Sequence, residues 1–121
     1  MSSLNDFEVS KNFNLREFVS PDTNEVKLEN EVVFRLQKLR DKIGKPITVT
    51  SGYRTHEYNN YVGGVPKSYH KLGQAADIYC SGVSTKNLAK LAKEVGFRGI
   101  GTYINSGFVH VDVGPTRSWT G

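Results

Sequence analysis

Residues 108–113, FVHVDV, set a histidine and an aspartate two positions apart among valines. Side chains alternate between the two faces of a strand, so Val109, Val111 and Val113 point one way while Phe108, His110 and Asp112 point the other. The valine side belongs in a core, which leaves an imidazole and a carboxylate together on a face that is not purely apolar. Residues 75–80, AADIYC, repeat the arrangement, with Ala76, Ile78 and Cys80 on one side and Ala75, Asp77 and Tyr79 on the other. If the two runs pair, Asp77, His110 and Asp112 converge, and the short stretch from Lys71 to Ala76 brings His70 to them. Two histidines and a carboxylate with a fourth position open are the donor set of a catalytic zinc site, since a structural site is closed by four protein ligands. Other divalent ions accept the same donors. Taken singly, each residue has a plainer explanation: a lone histidine is a surface or hydrogen-bonded core group, and Asp77 caps a turn.

The elements that must position these residues can be read from the pattern. In FNLREFVSP, Asn14 stands three residues before Glu17, a capping-box spacing, and Pro21 supplies a stop, which predicts a short helix. Val32, Leu36, Leu39 and Ile43 recur at helical spacing and end at Gly44 and Pro46, predicting an amphipathic helix. The β-branched run from Ile47 to Thr50 predicts a strand. From Thr55 to Leu72 the chain is rich in Tyr, Asn and Gly and shows no clean period beyond a helical turn near Glu57. It reads as a long loop, a feature that is usually functional in a compact domain. After the strand at 75–80, Ser84 or Thr85 caps a second helix carrying Leu88, Leu91, Ala92 and Val95 and closed by Gly96. GIGTYI and FVHVDV, separated by Asn105-Ser106-Gly107, form a β-hairpin.

With 121 residues, 37% hydrophobic and 23% charged, the chain has the composition of one folded domain spanning 1–121. Its single cysteine, Cys80, excludes an internal disulfide framework and a cysteine-rich zinc site. The formal charge of +4 favours polyanionic partners, but Lys38, Arg40, Lys42, Lys45, Lys86, Lys90 and Lys93 are scattered where helices face water, and no nucleic-acid-reading motif accompanies them. The segment MSSLNDFEVSKNF has no basic stretch followed by an apolar one, and no apolar run is long enough to span a bilayer. The expectation is a chain that is neither exported by an ordinary leader nor membrane-anchored: a cytosolic protein, a lysin released through another protein's pore, or a module cut from a longer chain.

The stretches SGYRT at 51–55, SYHKLGQAADI at 68–78 and FVHVDVGPTRSW at 108–119 resemble the M15-type zinc D-Ala-D-Ala carboxypeptidases and endopeptidases. That group's relatives include vancomycin-resistance dipeptidases, phage L-alanyl-D-glutamate endolysins and the hedgehog zinc domain. The resemblance implies an α+β fold with a small antiparallel sheet flanked by helices and the zinc site on the sheet face. It implies Zn2+ held by His70, Asp77 and His110, Arg54 gripping the substrate carbonyl, and Ser68 near the bound peptide. The group's usual base positions, three and two residues before the last histidine, are here Gly107 and Phe108, neither able to take a proton. Asp112 is left either as the base or as a carboxylate orienting a ligand imidazole. His56 and Glu57 are weaker candidates for base or substrate contact. Tyr103 is a candidate substrate contact, although for Tyr103 and Trp119 packing is the plainer role. Lys67 and Arg117 are nearby cations in no context that suggests a buried pocket. The implied activity is hydrolysis of amide bonds in peptidoglycan stem peptides or cross-links, by a monomer with no nucleic acid or membrane as partner, and the lack of a cation in a closed pocket for a terminal carboxylate favours cleavage within the peptide over its carboxyl end. The alternative is a zinc-containing module that binds wall or protein without turnover.

Overall fold

The computed structural model describes residues 7–121, so the first six residues of the segment scanned for a leader lie outside it. A small hairpin of β1 (Glu8–Ser10) and β2 (Phe13–Asn14) leads into a 3-10 turn at Leu15–Phe18. The capping box forms there: the Asn14 side chain accepts from the Arg16 N–H at 3.0 Å, and Glu17 accepts from the Asn14 N–H at 2.7 Å. The segment is too short to continue as an α-helix because Val19 turns extended before Pro21.

Helix α1 (Asn30–Ile43) buries Val32, Val33, Leu36 and Leu39 and stops at Gly44, whose φ of 72° is left-handed. Helix α3 (Thr85–Glu94) is capped by Ser84, which accepts from the Asn87 N–H, and buries Leu88, Ala89 and Ala92. Between them come β3 (Thr48–Ser51), α2 (His56–Tyr61), a second 3-10 turn at Tyr69–Leu72 and β4 (Ala75–Tyr79). After α3 the chain forms β5 (Gly99–Tyr103), β6 (Phe108–Asp112) and β7 (Arg117–Thr120). The stretch 55–72 read as a loop therefore contains one short helix and one 3-10 turn. Thr55 starts the helix by accepting from the Tyr58 N–H.

The five strands lie in the order β3-β4-β6-β5-β7. All pairs are antiparallel except β5 with β7, which run parallel, so the antiparallel sheet carries one further edge strand that the alternation did not reveal. The pleat decides which face does what. Ala76, Ile78, Val109 and Val111 point into a core shared with α1 and α3, and all four are fully buried. Each such valine contributes about 2 kcal/mol of burial. The opposite face is thereby committed to Asp77 and His110, which are direct partners in the β4–β6 register. Among the described residues no helix is long and apolar enough to cross a membrane.

Candidate metal centre and cleft

Asp77 and His110 face each other across β4 and β6, and His70 reaches them from the 3-10 turn that precedes β4. Ser68 starts that turn by accepting from the His70 N–H, while Gly73, with φ of 70°, ends it. The left-handed Gly73 also packs against the Lys27 carbonyl so tightly that a Cβ would sit 2.4 Å from the oxygen. Position 73 is thus fixed to glycine twice over. One donor atom from each of His70, Asp77 and His110 lies within 4.8 Å of the others. His70 is 2% exposed, and the two rings meet edge-on at 5.1 Å.

The hydrogen bonds around the rings test whether a cation fits. His70 Nδ1 lies 2.7 Å from the Gly52 carbonyl oxygen, which can only accept, so Nδ1 carries the proton. His110 Nε2 lies 2.7 Å from Asp112 Oδ2 and donates to that carboxylate. In the neutral rings, His70 Nε2 and His110 Nδ1 then turn bare lone pairs towards the same oxygen, Asp77 Oδ1, at 3.2 and 3.1 Å. Three electron-rich atoms converging in a buried place repel one another unless both rings take a second proton or a cation lies among them. Nitrogen, nitrogen and carboxylate oxygen are donors that suit Zn2+, and a fixed partner on the far nitrogen of each ring is how metal-ligating histidines are oriented.

Burial pushes the Asp77 carboxyl up, but when the rings take their second protons the hydrogen bonds from His110 and His70 outweigh it and hold the group below the usual carboxylate range. For His110, burial lowers the pKa, yet the bonds to Asp112 and Asp77 leave it raised. Asp112 is likewise raised by burial and lowered further by His110, Arg117 and the Gly114 N–H, to about 2.

The structure places the other candidates unevenly. Arg54 faces the cleft, but its Nε donates to Ser51 Oγ, Nη1 to Asn59 Oδ1 and Nη2 to Asp77 Oδ2, at 3.0, 3.3 and 3.1 Å. Three of its five N–H groups therefore hold the Asp77 side of the site, where the resemblance had given them to a substrate carbonyl. Asp112 is wholly buried. Its oxygens accept from His110, from the Gly114 N–H and from both ends of the Arg117 guanidinium at 3.0 and 2.8 Å. This saturation runs against a base that must meet water in the cleft and agrees with the orienting role. His56 bonds Lys71 and Asn60 and, like Glu57, stays outside the cleft lining.

A cleft of about 640 Å³ opens over the three donors, with Arg54, Lys67, Ser68, Tyr103, Arg117 and Trp119 among its walls. Tyr103 stacks on Phe108 at 4.6 Å, and its hydroxyl accepts from Trp119 Nε1 at 2.9 Å, which leaves the O–H free to donate. Both aromatics thus line the cleft as well as packing. Two residues that the sequence reading underrated are Arg117 and Asn59. Arg117 lies between the rings of Tyr69 and Trp119, at 4.8 and 5.1 Å, while clamping Asp112. Its signal was the alternation Pro115-x-Arg117-x-Trp119 opposite Gly99-x-Gly101. A Cβ on Gly99 would strike Asp112 and Arg117, and one on Gly101 would strike the Trp119 ring. Asn59 is fully buried and ties Arg54 to the Val65 carbonyl; nothing in HEYNNY singles it out.

A sheet face carrying an imidazole and a carboxylate, joined by a second imidazole from the turn before β4 at the head of a cleft, is the plan of a small metallopeptidase, and the comparisons agree. The chain belongs to the Peptidase M15 family, whose model matches residues 4–112. It is 39% identical over 92 residues to the peptidoglycan L,D-endopeptidase MepK of Escherichia coli, covering 70% of this chain and 50% of that protein. It is 33% identical over 108 residues to the probable peptidoglycan L,D-endopeptidase MepK of Haemophilus influenzae, covering 82% and 58%. With the zinc D-Ala-D-Ala carboxypeptidase of Streptomyces albus G it shares 36% identity over 92 residues, 73% of this chain and 36% of that one. The chain spans at most a little over half the length of these relatives.

Proposed function

We propose that residues 1–121 form one zinc peptidase domain that hydrolyses amide bonds in the peptides of peptidoglycan, within a stem peptide or cross-link rather than at its carboxyl end. The observation that carries the proposal is the pair of imidazoles locked from behind by Gly52 and Asp112, with their free nitrogens turned to Asp77 at the head of a cleft. The names of the relatives, endopeptidases of peptidoglycan and a zinc carboxypeptidase, support the substrate class and the metal.

In this reading His70, Asp77 and His110 hold Zn2+, which when bound supplies a Lewis acid and an acidified water at neutral pH. The two unspent N–H groups of Arg54 face the scissile carbonyl and meet the charge that develops on its oxygen. Ser68 and the Tyr103 hydroxyl hold the peptide main chain. Asp112 keeps the His110 ring in the tautomer that leaves Nδ1 bare. The domain works as a monomer on the cell wall, as a released lysin or as part of a longer protein, with no nucleic acid or membrane as partner.

One observation favours the second reading, a binding module without turnover: among the described residues lining the cleft, the only carboxylate is Asp77, already engaged. Metal analysis with mass spectrometry of digested peptidoglycan separates the two. Zinc with new internal amino termini is expected. Release of free D-alanine alone indicates a carboxypeptidase, zinc without products indicates the binding module, and a protein that takes up no metal overturns both.

A further inference from the structure

The walls of the cleft hold three cations, of which Arg117 is spent and Arg54 keeps only the two N–H groups assigned above to the scissile carbonyl. Arg54 is committed to Ser51, Asn59 and Asp77, and Arg117 to Asp112. Lys67 is exposed and lines the same cleft, and among the described residues its ammonium has no hydrogen bond or ion pair. Its mounting is nevertheless firm. The Val65 carbonyl accepts from the Ser68 N–H at 3.1 Å and from the buried Asn59 amide at 2.8 Å, and the Pro66 carbonyl accepts from Lys71 Nζ at 2.9 Å. Proline at 66 fixes φ immediately before the lysine.

Lys67 is three residues from His70, so their Cα atoms lie within about 11 Å of each other, and a lysine side chain spans much of that distance. A peptide whose scissile amide sits over His70, Asp77 and His110 therefore presents a neighbouring residue to the Lys67 ammonium. A point-like cation on a flexible stem over a fixed base is suited to a carboxylate whose position varies slightly between substrates.

Resting on the peptidase reading, we propose that Lys67 is a specificity residue: it captures a free carboxylate on the substrate residue next to the cleaved bond, so that the cleft prefers acidic stem peptides to those in which that carboxylate is amidated. An exposed pair of this kind is weakened by salt, and the preference falls with ionic strength.

The test uses two synthetic stem peptides differing only in carboxylate against carboxamide beside the cleaved bond, offered to the zinc-loaded protein and to Lys67→Gln and Lys67→Arg. The wild type should favour the acid peptide by roughly three- to tenfold in kcat/KM, carried mainly by KM. Lys67→Gln should bring that ratio close to one, Lys67→Arg should keep most of it, and high salt should mimic the glutamine variant. Equal rates on both peptides in the wild type, or a preference that survives Lys67→Gln, overturns the proposal. If the wild type cleaves neither peptide, the peptidase reading has failed; calorimetric binding of the same peptides then decides Lys67 separately, with equal affinity for both counting against it.

Discussion

His70 turns its Nε2 and His110 its Nδ1 to the same oxygen of Asp77, but the far side of the first ring rests on a backbone carbonyl and that of the second on a carboxylate. The main-chain support at Gly52 has no side chain to lose, yet it depends on the local packing of the backbone: a Cβ there would lie 2.6 Å from Phe18 Cα. The side-chain support needs retainers of its own. Asp112 is held by Arg117 and the Gly114 N–H. Arg98 in turn donates to the Gly114 and Val113 carbonyls and reaches back to Glu31 on α1. One ring is thus secured by the fold itself and the other by a chain of polar contacts.

The largest expected effect treats the rings alike. His70→Ala and His110→Ala should each abolish stoichiometric zinc, measured by atomic absorption, while circular dichroism still reports a folded domain, because the core on the other face does not depend on the metal. A chelator that unfolds the wild type would show the metal to be structural and would remove the basis for comparing the two supports.

The next pair separates them. Asp112→Asn should weaken zinc affinity by roughly 10- to 100-fold in chelator competition, beyond the fall in melting temperature that comes from breaking its buried pair with Arg117. Gly52→Ala should cost about 1–3 kcal/mol of unfolding free energy, because it drives a methyl group into Phe18. If Gly52→Ala instead loosens zinc in a domain of normal stability, the division between fold-borne and side-chain-borne support is wrong.

Arg117→Gln should weaken zinc by a smaller factor, about tenfold or less, with Arg117→Lys intermediate because lysine cannot make the bidentate clamp. Smallest of all is Glu31→Gln, at the far end of the same chain. Hydrogen bonding from Arg98 holds the Glu31 carboxyl below its ordinary pKa. Its contribution is therefore complete above the unfolded pKa and disappears as pH falls through the folded one. A slight loss of thermal stability at neutral pH, vanishing in acid, is the expected result; a difference that grows in acid would contradict it.

The period-two pattern of 75–80 and 108–113 was enough to place Asp77 and His110 on one face, since a valine row can face only the core. The stripes of α1 and α3 were legible for the same reason, and Asn105-Ser106-Gly107 marked a hairpin that did form, with Gly107 at φ 78°. What escaped were pairings between polar groups distant in sequence. That three N–H groups of Arg54 also hold Ser51, Asn59 and Asp77 was not legible because nothing in SGYRT records that Asp77 lies opposite Ser51 in the β3–β4 register. Asp112 stayed open between base and orienting carboxylate because its retainer, Arg117, belongs to a strand whose four residues, Arg-Ser-Trp-Thr, carry no apolar row and pair in parallel. Asn59 was invisible because its value lies in filling a buried place beside Gly64, where a Cβ would sit 2.2 Å from its Oδ1.

That last strand also bears on motion. In the described sheet β7 is an edge, bonded to β5 alone, so fewer backbone hydrogen bonds oppose its local opening than oppose that of an inner strand. It carries both the Asp112 clamp and the Trp119 ring that lies 5.3 Å from His110. Each brief detachment of β7 would free one imidazole to swivel while the other stays pinned by the main chain. Metal release should therefore be gated by local opening at one side of the site, and amide exchange at the β7 positions bonded to β5 should keep pace with the rate at which the ion departs.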